Sequence, residues 1–393
     1  MKILFVINNL YAQGNGLAAS ARRTVEYLCK AGHEVRVISG PNHNKDGKKP
    51  DYELEDYTFP LVNPLVVANG YYYAQSNLPL MEEAAKWADV VHLEEPFVIE
   101  DRMIKICKKL GKPITATYHL HPENITMAFG PMAIRWKGLN NLILTKWRDL
   151  TFNCCSHVQC PTQNVQDRLR RFHYKCKLEY ISNGIVPDKC IRPLTPPDNY
   201  LDPSRPFNVV CIGRLSPEKD QLTLLEAMKY TAYAKRIQLQ FAGIGIKAAA
   251  IKKKAHKLYK DGVLAYDPQF FFLNRDGLRE LAANADLCIH CAFIEVEGLS
   301  IMEAIQQAAT PIIAEGPVTG TSQFAVSRQN IFPVKNPEAL ADRIDYWLDR
   351  PEERWESGFA HAKRLEKFSM DKTIEKLEHM FEMAIEQNKN KKK

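Results

Sequence analysis

Short apolar runs recur along the chain, and segments with helical periodicity separate them. The runs lack the polar alternation of a sheet with one solvated face, which predicts strands that are buried on both sides. The predicted strands of the first half are KILFVI (2–7), EVRVIS (34–39), DVVHL (89–93), PITATY (113–118), HVQC (157–160) and KLEYIS (177–182). Those of the second half are FNVVCIG (207–213), IQLQFAG (237–243), DLCIHCA (286–292), TPIIA (310–314) and NIFPV (330–334). Strands that alternate with helices predict parallel sheets covered by helices on both faces.

This pattern occurs twice, and a proline-rich segment separates the two series. IRPLTPPDNYLDPSRPF (191–207) holds five prolines, and proline at that density interrupts both helices and paired strands. A chain of 393 residues also exceeds one ordinary domain. The sequence therefore predicts an α/β protein with two doubly wound, Rossmann-like domains, 1–190 and 207–370, joined by a linker at 191–206. A helix and a basic tail are expected at 371–393. One possible path takes this segment back to the first domain.

Composition is that of a soluble globular protein, with 45% apolar and 25% charged residues. The apolar opening MKILFVINN turns polar too early for a signal sequence, and no run of about 18 apolar residues follows. The ten cysteines are scattered, which indicates reduced thiols and a cytoplasmic location. CIHC (288–291) has a spacing that suits a metal, but a matching second pair is missing. A buried strand is therefore the favoured interpretation of CIHC.

The net charge of +7 is concentrated in two places, RWKGLNNLILTKWRD (135–149) and the terminal NKNKKK. The first interleaves cations with tryptophan and leucine, and two interpretations stay open. It is either a helix lying in an anionic membrane interface or a core-facing helix with a solvated basic rim. Neither segment carries a motif that reads nucleic acid, so nucleic acid is not an expected partner.

Glycines and cations follow several of the predicted strands. Ligands of doubly wound sheets bind at the carboxyl ends of the strands. We therefore expect a ligand-binding site in a cleft between the two domains. Gly14 and Gly16 lie where a loop turns into a helix, so free backbone N–H groups there would suit a phosphate. The spacing also matches part of the dinucleotide fingerprint, but the first glycine follows its strand late and the second strand ends without an acid for the ribose. The alternative is that these glycines only permit a turn.

Arg214 and Lys219 follow the first strand of the second half and precede a helix. Two cations at that strand end suit a diphosphate, and ordinary surface charges are the alternative. The next strand ends in FAGIGI, where Gly243 and Gly245 would allow close backbone approach to a ligand.

Two acids, Glu295 and Glu303, stand on either side of Gly298 between a predicted strand and a predicted helix. Ser300 and Glu303 fit a capping box, which would make Glu303 purely structural. That interpretation leaves Glu295 and Gly298 unexplained. A loop acid that accepts hydrogen bonds and a glycine that bares the amides of a helix start would suit a sugar and its diphosphate.

Together these motifs resemble those of the retaining glycosyltransferases of family 4, which have the two-domain GT-B fold. The most specific is Glu-x7-Glu, here Glu295 and Glu303, followed by TPIIA. Supporting motifs are GRLSPEK, SNGI, the Ala-Asp pair ahead of the DLCIHCA strand, and the N-terminal glycine loop. The likeness covers nearly the whole chain. TYHLHPENI also faintly resembles the members that glycosylate diacylglycerol.

The resemblance implies roles for the matching positions. Glu295 would contact the donor sugar and Glu303 the nucleotide ribose. Arg214 and Lys219 would bind the donor diphosphate.

The resemblance further implies that the backbone amides of Leu299 and Ser300 assist with the diphosphate. His119 occupies the position of a family histidine close to the reacting sugar, and His121 is a second candidate. The sequence departs from the family pattern at Glu297, which is usually aromatic, at His290-Cys291, which replaces a common Pro-Ser, at Ala309, which often is glycine, and at NGIV, which lacks the usual acid. The extra acid leaves the identity of the donor sugar open.

The implied activity is retaining transfer of a hexosyl group from a UDP- or GDP-sugar to a lipid or saccharide acceptor, without a metal or other cofactor. A nucleotide-sugar epimerase of the same fold and a non-catalytic nucleotide-sugar-binding subunit are the alternatives. A lipid acceptor would imply peripheral contact with the inner face of an anionic membrane.

Overall fold

The computed structural model describes residues 1–44, 46–58, 71–127, 130 and 136–391. Its contacts divide the chain into two compact units. The first unit comprises Met1–Thr126, Met132–Gly184 and Met370–Lys393, and the second comprises Met127–Pro131 and Ile185–Ser369.

The first unit is built on a parallel sheet. Its strands, in spatial order, are β3 (Tyr52–Glu53), β2 (Glu34–Ser39), β1 (Lys2–Val6), β6 (Val90–Leu93), β7 (Ile114–Thr117), β8 (His157–Cys160) and β9 (Lys177–Tyr180). A separate antiparallel pair consists of β4 (Asp56–Tyr57) and β5 (Tyr73–Ala74). The helices are α1 (Gly16–Lys30), α2 (Leu78–Trp87), α3 (Val98–Leu110), α4 (Pro122–Thr126), α5 (Lys137–Leu150) and α6 (Gln163–Arg171).

The second unit repeats this architecture. Its parallel sheet has the order β12 (Gln269–Phe271), β11 (Ile237–Ala242), β10 (Phe207–Ile212), β13 (Leu287–His290), β14 (Pro311–Glu315) and β15 (Ile331–Pro333). The helices are α7 (Gln221–Ala227), α8 (Ala248–Lys260), α9 (Arg275–Ala283), α10 (Leu299–Gln306), α11 (Pro337–Leu348) and α12 (Pro351–Leu365). The prediction of two doubly wound α/β domains is therefore confirmed.

Strand β13 shows why its sequence has no polar alternation. Leu287 and Ile289 belong to one apolar core of the second unit, and Cys288 belongs to another. Successive residues of a strand point to opposite faces, so both faces of this sheet are covered. Cys291 is buried in the same core as Leu287, so both cysteines of CIHC are core residues on different faces.

The proline-rich segment 191–206 belongs to the second unit, because the division between the units falls at Gly184 and Ile185. Arg192 in this segment is buried, donates to the carbonyls of Ala285 and Ala308 at 2.9 Å each, and stacks on Trp355. The prolines prevent regular structure as expected, but the segment is packed rather than being a free linker.

The chain returns to the first unit in a final helix, α13 (Met370–Asn390), which contacts α1, β6 and β7. Leu377 and Phe381 of α13 are fully buried there. Within the described ranges, none of the helices has the length and apolarity needed to cross a bilayer. Arg135 of the basic segment lies outside the described residues.

Candidate functional site

Two cations follow β10 in the second unit, and each has an acidic partner. Arg214, about half exposed, donates to the Glu218 carboxylate at 3.0 Å. Lys219 forms an ion pair with Glu295, which follows β13 in the neighbouring strand position of the sheet. Parallel strands end at the same edge, and this brings residues 76 positions apart in sequence into contact.

Glu295 is held in place by its backbone as well as by its side chain. Its N–H donates to the Val318 carbonyl at 2.9 Å, and its own carbonyl accepts from Gly320 at 2.8 Å. Burial opposes the charge on Glu295, but the neighbouring Lys219 outweighs it and holds the pKa of this carboxyl well below its ordinary value. Glu295 is therefore an ionised, fixed acceptor for hydrogen bonds.

His290 is the second side chain against Glu295. Its Nε2 lies 3.6 Å from Oε2 of Glu295, and within the described residues this buried nitrogen has no hydrogen-bond partner. Burial and the neighbouring Lys219 lower the pKa of His290, which favours the neutral ring.

Helix α10 begins at Gly298 without a side-chain cap. In the described part of the chain the N–H groups of Leu299 and Ser300 have no acceptor, so they are available to an anion. Gly298 has φ +88°, and a Cβ there would collide with Thr321. The loop that carries Arg214 is close by, since a Cβ built at Gly213 would lie 3.4 Å from Ser300 Oγ.

The capping-box interpretation of Ser300 and Glu303 is wrong. Ser300 lies inside the first turn rather than at the N-cap, which is Gly298. Glu303 is the fifth residue after the N-cap, whereas a capping box needs the acid at the third.

Two of the predicted glycine sites make contacts within the protein. Gly243 has φ +148°, and a Cβ there would collide with the Gly213 carbonyl, so its lack of a side chain permits close packing of two loops. Gly245 likewise packs against the Leu215 backbone. At the start of α1, next to Gly14 and Gly16, the expected free amides are occupied, because the Asn15 side chain accepts from two of them.

His119 follows β7 in the first unit, and its Nε2 lies 2.5 Å from Oε2 of buried Glu94. His121 points into a buried polar cluster, with Nδ1 accepting from Arg168 at 3.0 Å. Arg168 in turn forms a salt bridge with Glu123 at 2.7 Å. The contacts of His121 indicate a structural role. The contact of His119 with Glu94 sets the orientation of the His119 ring.

Sequence reasoning missed Glu94 and His290, which contact two of the predicted site residues. Glu94 follows β6 directly, so the strand-end rule applied to LEEPF would have pointed to it. His290 was noted only as a departure from the family pattern. The structure thus assembles Lys219, Glu295, His290 and the start of α10 in the second unit, and His119 with Glu94 in the first.

This arrangement can bind an anion with cations and amides while a carboxylate accepts hydrogen bonds from hydroxyl groups. Within the described ranges, no group of three or more His, Cys, Asp or Glu side chains is placed to hold a metal ion.

Sequence families match both units. Residues 14–189 match the family described as Glycosyltransferase Family 4, and residues 197–363 match Glycosyl transferases group 1.

Two individual relatives share about a quarter of their residues with this chain. The chain is 25% identical to an alpha-monoglucosyldiacylglycerol synthase of Streptococcus pneumoniae, over 80% of this chain and 71% of that protein. It is 23% identical to a GDP-mannose-dependent alpha-mannosyltransferase of Mycobacterium tuberculosis, over 80% of this chain and 79% of that protein. Among solved structures, Anabaena HepE in complex with UDP and glucose is similar, with a TM-score of 0.70 at 15% identity over 98% of this chain and all of that one. At that identity the structural likeness concerns the fold.

Proposed function

Because this chain belongs to glycosyltransferase family 4, we propose that it transfers a hexosyl group from a UDP- or GDP-sugar to an acceptor hydroxyl with retention of anomeric configuration. The observation that supports this most directly is the grouping of Lys219, ionised Glu295 and the available amides of Leu299 and Ser300 at one edge of the second sheet. A diphosphate and its attached sugar present the complementary groups: phosphate oxygens for the donors and hydroxyls for the carboxylate.

In the proposed reaction the bond between sugar and diphosphate lengthens, so the sugar gains positive and the leaving group negative charge. Arg214, Lys219 and the start of α10 would stabilise the departing oxygen. Glu295 would orient sugar hydroxyls and favour the positive ring. The acceptor attacks from the face that the diphosphate leaves, and the leaving phosphate takes the acceptor proton. These protein groups supply the charge stabilisation, so we propose no resident metal or other cofactor.

Glu303 keeps its proposed role at the ribose, and it is exposed on α10 near the free amides. Gly14 and Gly16 are the weaker donor candidates, since Asn15 caps the amides beside them.

A lipid acceptor is supported by two observations. One relative is named a monoglucosyldiacylglycerol synthase. In addition, α5 exposes Leu142 and Leu150, with Trp136 just before it, next to the exposed cations Lys137 and Lys146. We propose a lipid acceptor reached by peripheral contact with the inner face of an anionic membrane, with a saccharide acceptor as the alternative.

The test is a screen of donors against acceptors that detects released nucleoside diphosphate with and without each acceptor. Transfer requires release that depends on the acceptor, whereas an epimerase would change the donor sugar without one. A binding subunit would bind donor with no turnover across the panel.

Arg214→Ala should lower turnover in this screen by about 100-fold to 1,000-fold, because it removes a donor to the developing charge. Arg328→Ala is the matched control, since Arg328 is an exposed arginine of the same unit paired with Glu315. Near-normal transfer by Arg214→Ala, with Arg328→Ala also normal, would refute the proposed diphosphate site.

A further inference from the structure

The ends of β6 and β7 place Glu94 and His119 side by side. The strands pair in parallel, with Leu93 opposite Ala116, so the residues just beyond them emerge at the same edge. Glu94 is 2% exposed, and its N–H donates to the Val6 carbonyl at 3.0 Å. Its position is therefore set by the backbone of the sheet, and its Oε2 is 2.5 Å from Nε2 of His119.

A second histidine, His92, lies beneath Glu94, and its hydrogen bonds fix its tautomer. The Gln159 amide nitrogen donates to the carbonyls of Ile181 and Ser182, so its oxygen accepts from the Thr117 hydroxyl at 2.7 Å. Thr117 has then used its single proton and can only accept from His92 Nε2, at 2.8 Å.

His92 is consequently a neutral ring with its proton on Nε2. Its Nδ1 accepts from the Thr115 hydroxyl at 2.9 Å. Burial lowers the pKa of His92 to about 4, which agrees with a neutral ring. A neutral His92, 3.7 Å from Oε1 of Glu94, does not neutralise the carboxylate.

The direct hydrogen-bond partner of Glu94 is His119. Burial alone would raise the pKa of Glu94, but the contact with His119 holds it below its ordinary value, so Glu94 is ionised. An ionised carboxylate accepts hydrogen bonds and cannot donate them. His119 must therefore carry a proton on Nε2, and its other nitrogen, Nδ1, has no partner among the described residues.

We propose that Glu94 is the positioning residue of His119: it fixes the ring with the proton on Nε2 and presents Nδ1 to a hydroxyl of the reacting sugar. This inference rests on the proposed function and on the family resemblance, which implies that His119 lies close to that sugar. A carboxylate that orients an imidazole and selects its tautomer is a general device of enzyme active sites. In this proposal Glu94 acts through His119.

Two variants separate charge from shape. Glu94→Leu removes the acceptor, so the ring of His119 should populate both tautomers, and kcat/KM should fall about 10-fold to 100-fold, the value of one hydrogen bond to a charged group. Glu94→Gln keeps an acceptor oxygen but loses the charge, so its kcat/KM should lie between those of the wild type and Glu94→Leu.

Glu100→Gln is the matched control. Glu100 is also fully buried near the end of β6, but it contacts Asn8 rather than His119. Burial and the neighbouring Glu95 raise the pKa of Glu100 well above its ordinary value. Glu100→Gln changes a buried carboxylate of the same region and leaves the contact between Glu94 and His119 in place. This variant should keep wild-type activity and the wild-type His119 signal.

The measurement is the ¹⁵N spectrum of histidine-labelled full-length protein, in which Nε2-protonated and Nδ1-protonated rings differ, with His119→Gln to assign the signal. A proton on Nδ1 in the wild type, or an unchanged signal in Glu94→Leu, would overturn the proposal. If Glu94→Leu does not fold, wild-type kcat/KM in Glu94→Gln would overturn it instead. Should no donor and acceptor support transfer, the spectrum alone still decides whether Glu94 fixes the ring, and the fault then lies with the proposed function.

Discussion

Lys219 and Glu295 are each only 15% exposed, so their ion pair is shielded from water. Attraction between such charges exceeds that of a surface pair, and the loss of one partner leaves the other as an uncompensated charge. A lysine ammonium has three N–H donors. Lys219 can therefore keep Glu295 ionised while it also donates to a phosphate oxygen, which couples the proposed diphosphate and sugar contacts through one side chain.

Lys219→Met should destabilise the protein in a pH-dependent way. In the wild type the pKa of Glu295 lies below its unfolded value, so its contribution to stability is present above an unfolded pKa of about 4.3 and is lost as pH falls through the folded pKa. Without Lys219, burial dominates and raises that pKa, so the charged form becomes a cost at neutral pH. We expect a loss of about 3 kcal/mol at pH 7 that shrinks toward pH 4.

Urea unfolding midpoints of both proteins at pH 7 and pH 4 measure this difference. Lys229→Met, which removes an exposed lysine paired with Glu226, should change the midpoint little at either pH. A deficit in Lys219→Met that is equal at both pH values would contradict the assigned charge state of Glu295.

Single residues at strand ends were predictable from the sequence, but their partners were not. Arg214, Lys219 and Glu295 were found because each follows an apolar run, and strand ends are where ligands of such sheets bind. The contact of Lys219 with Glu295 spans 76 positions, and that of His119 with Glu94 spans 25. Apolar periodicity locates each strand but does not report which strands are neighbours.

At the scale of elements, α1 and α10 show that a glycine before a helix does not by itself make an anion site. Both helices follow a strand and a glycine-containing loop. Asn15 occupies the first amides of α1, whereas Gly298 offers no side chain at the start of α10. The sequence pattern predicts an anion site at both helix starts. The two differ in whether the side chain of the N-cap residue accepts hydrogen bonds from the first backbone amides.

Short strands were also beyond sequence reasoning. β3 has two residues and β12 has three, which is too few for any period to show. β12 is a strand because Gly243 N–H donates to the Phe271 carbonyl and β11 lies beside it. Tertiary pairing, rather than the local sequence, therefore defines both elements.

Helix α5 has the buried face that the core-facing interpretation predicts, and it also exposes apolar side chains. Leu144 and Trp147 are buried, so one face packs on the first unit, while Leu142 and Leu150 are more than half exposed. An exposed apolar face flanked by cations is typical of helices that lie at membrane surfaces.

Neutralising α5 should weaken binding to anionic vesicles. Each cation near such a surface contributes about 1 kcal/mol, so replacing Lys137, Lys146 and Arg148 with glutamine should lower the partition coefficient by roughly 100-fold at low salt. Co-sedimentation with vesicles that contain anionic lipid measures it. Replacing Lys252, Lys253 and Lys260 of α8 is the matched control, and an equal loss there would mean that net charge alone drives binding.

For the whole molecule, chain order and structural unit do not coincide. The main segment of the second unit runs from Ile185 to Ser369. The N–H of Ile185 donates to the Phe368 carbonyl at 2.8 Å, so the two ends of this segment lie together. α13 then completes the core of the first unit beside β6 and β7, the strands that end at Glu94 and His119. The end of the chain thus supports elements formed near its beginning.

Phe381→Ala should destabilise the first unit and leave the second intact. Phe381 is fully buried, and its ring lies edge-on to His92 with centroids 5.3 Å apart. Loss of a buried phenylalanine costs about 3 to 5 kcal/mol, and because each unit has its own core this loss should be confined to one of them. Hydrogen exchange should therefore accelerate in β6, β7 and α1, with protection unchanged in β10 and β13. Phe332→Ala, which removes a buried ring from the core of the second unit, should give the reverse pattern. Equal acceleration of exchange in both sheets by either substitution would contradict this prediction, because it would mean that the two units unfold together.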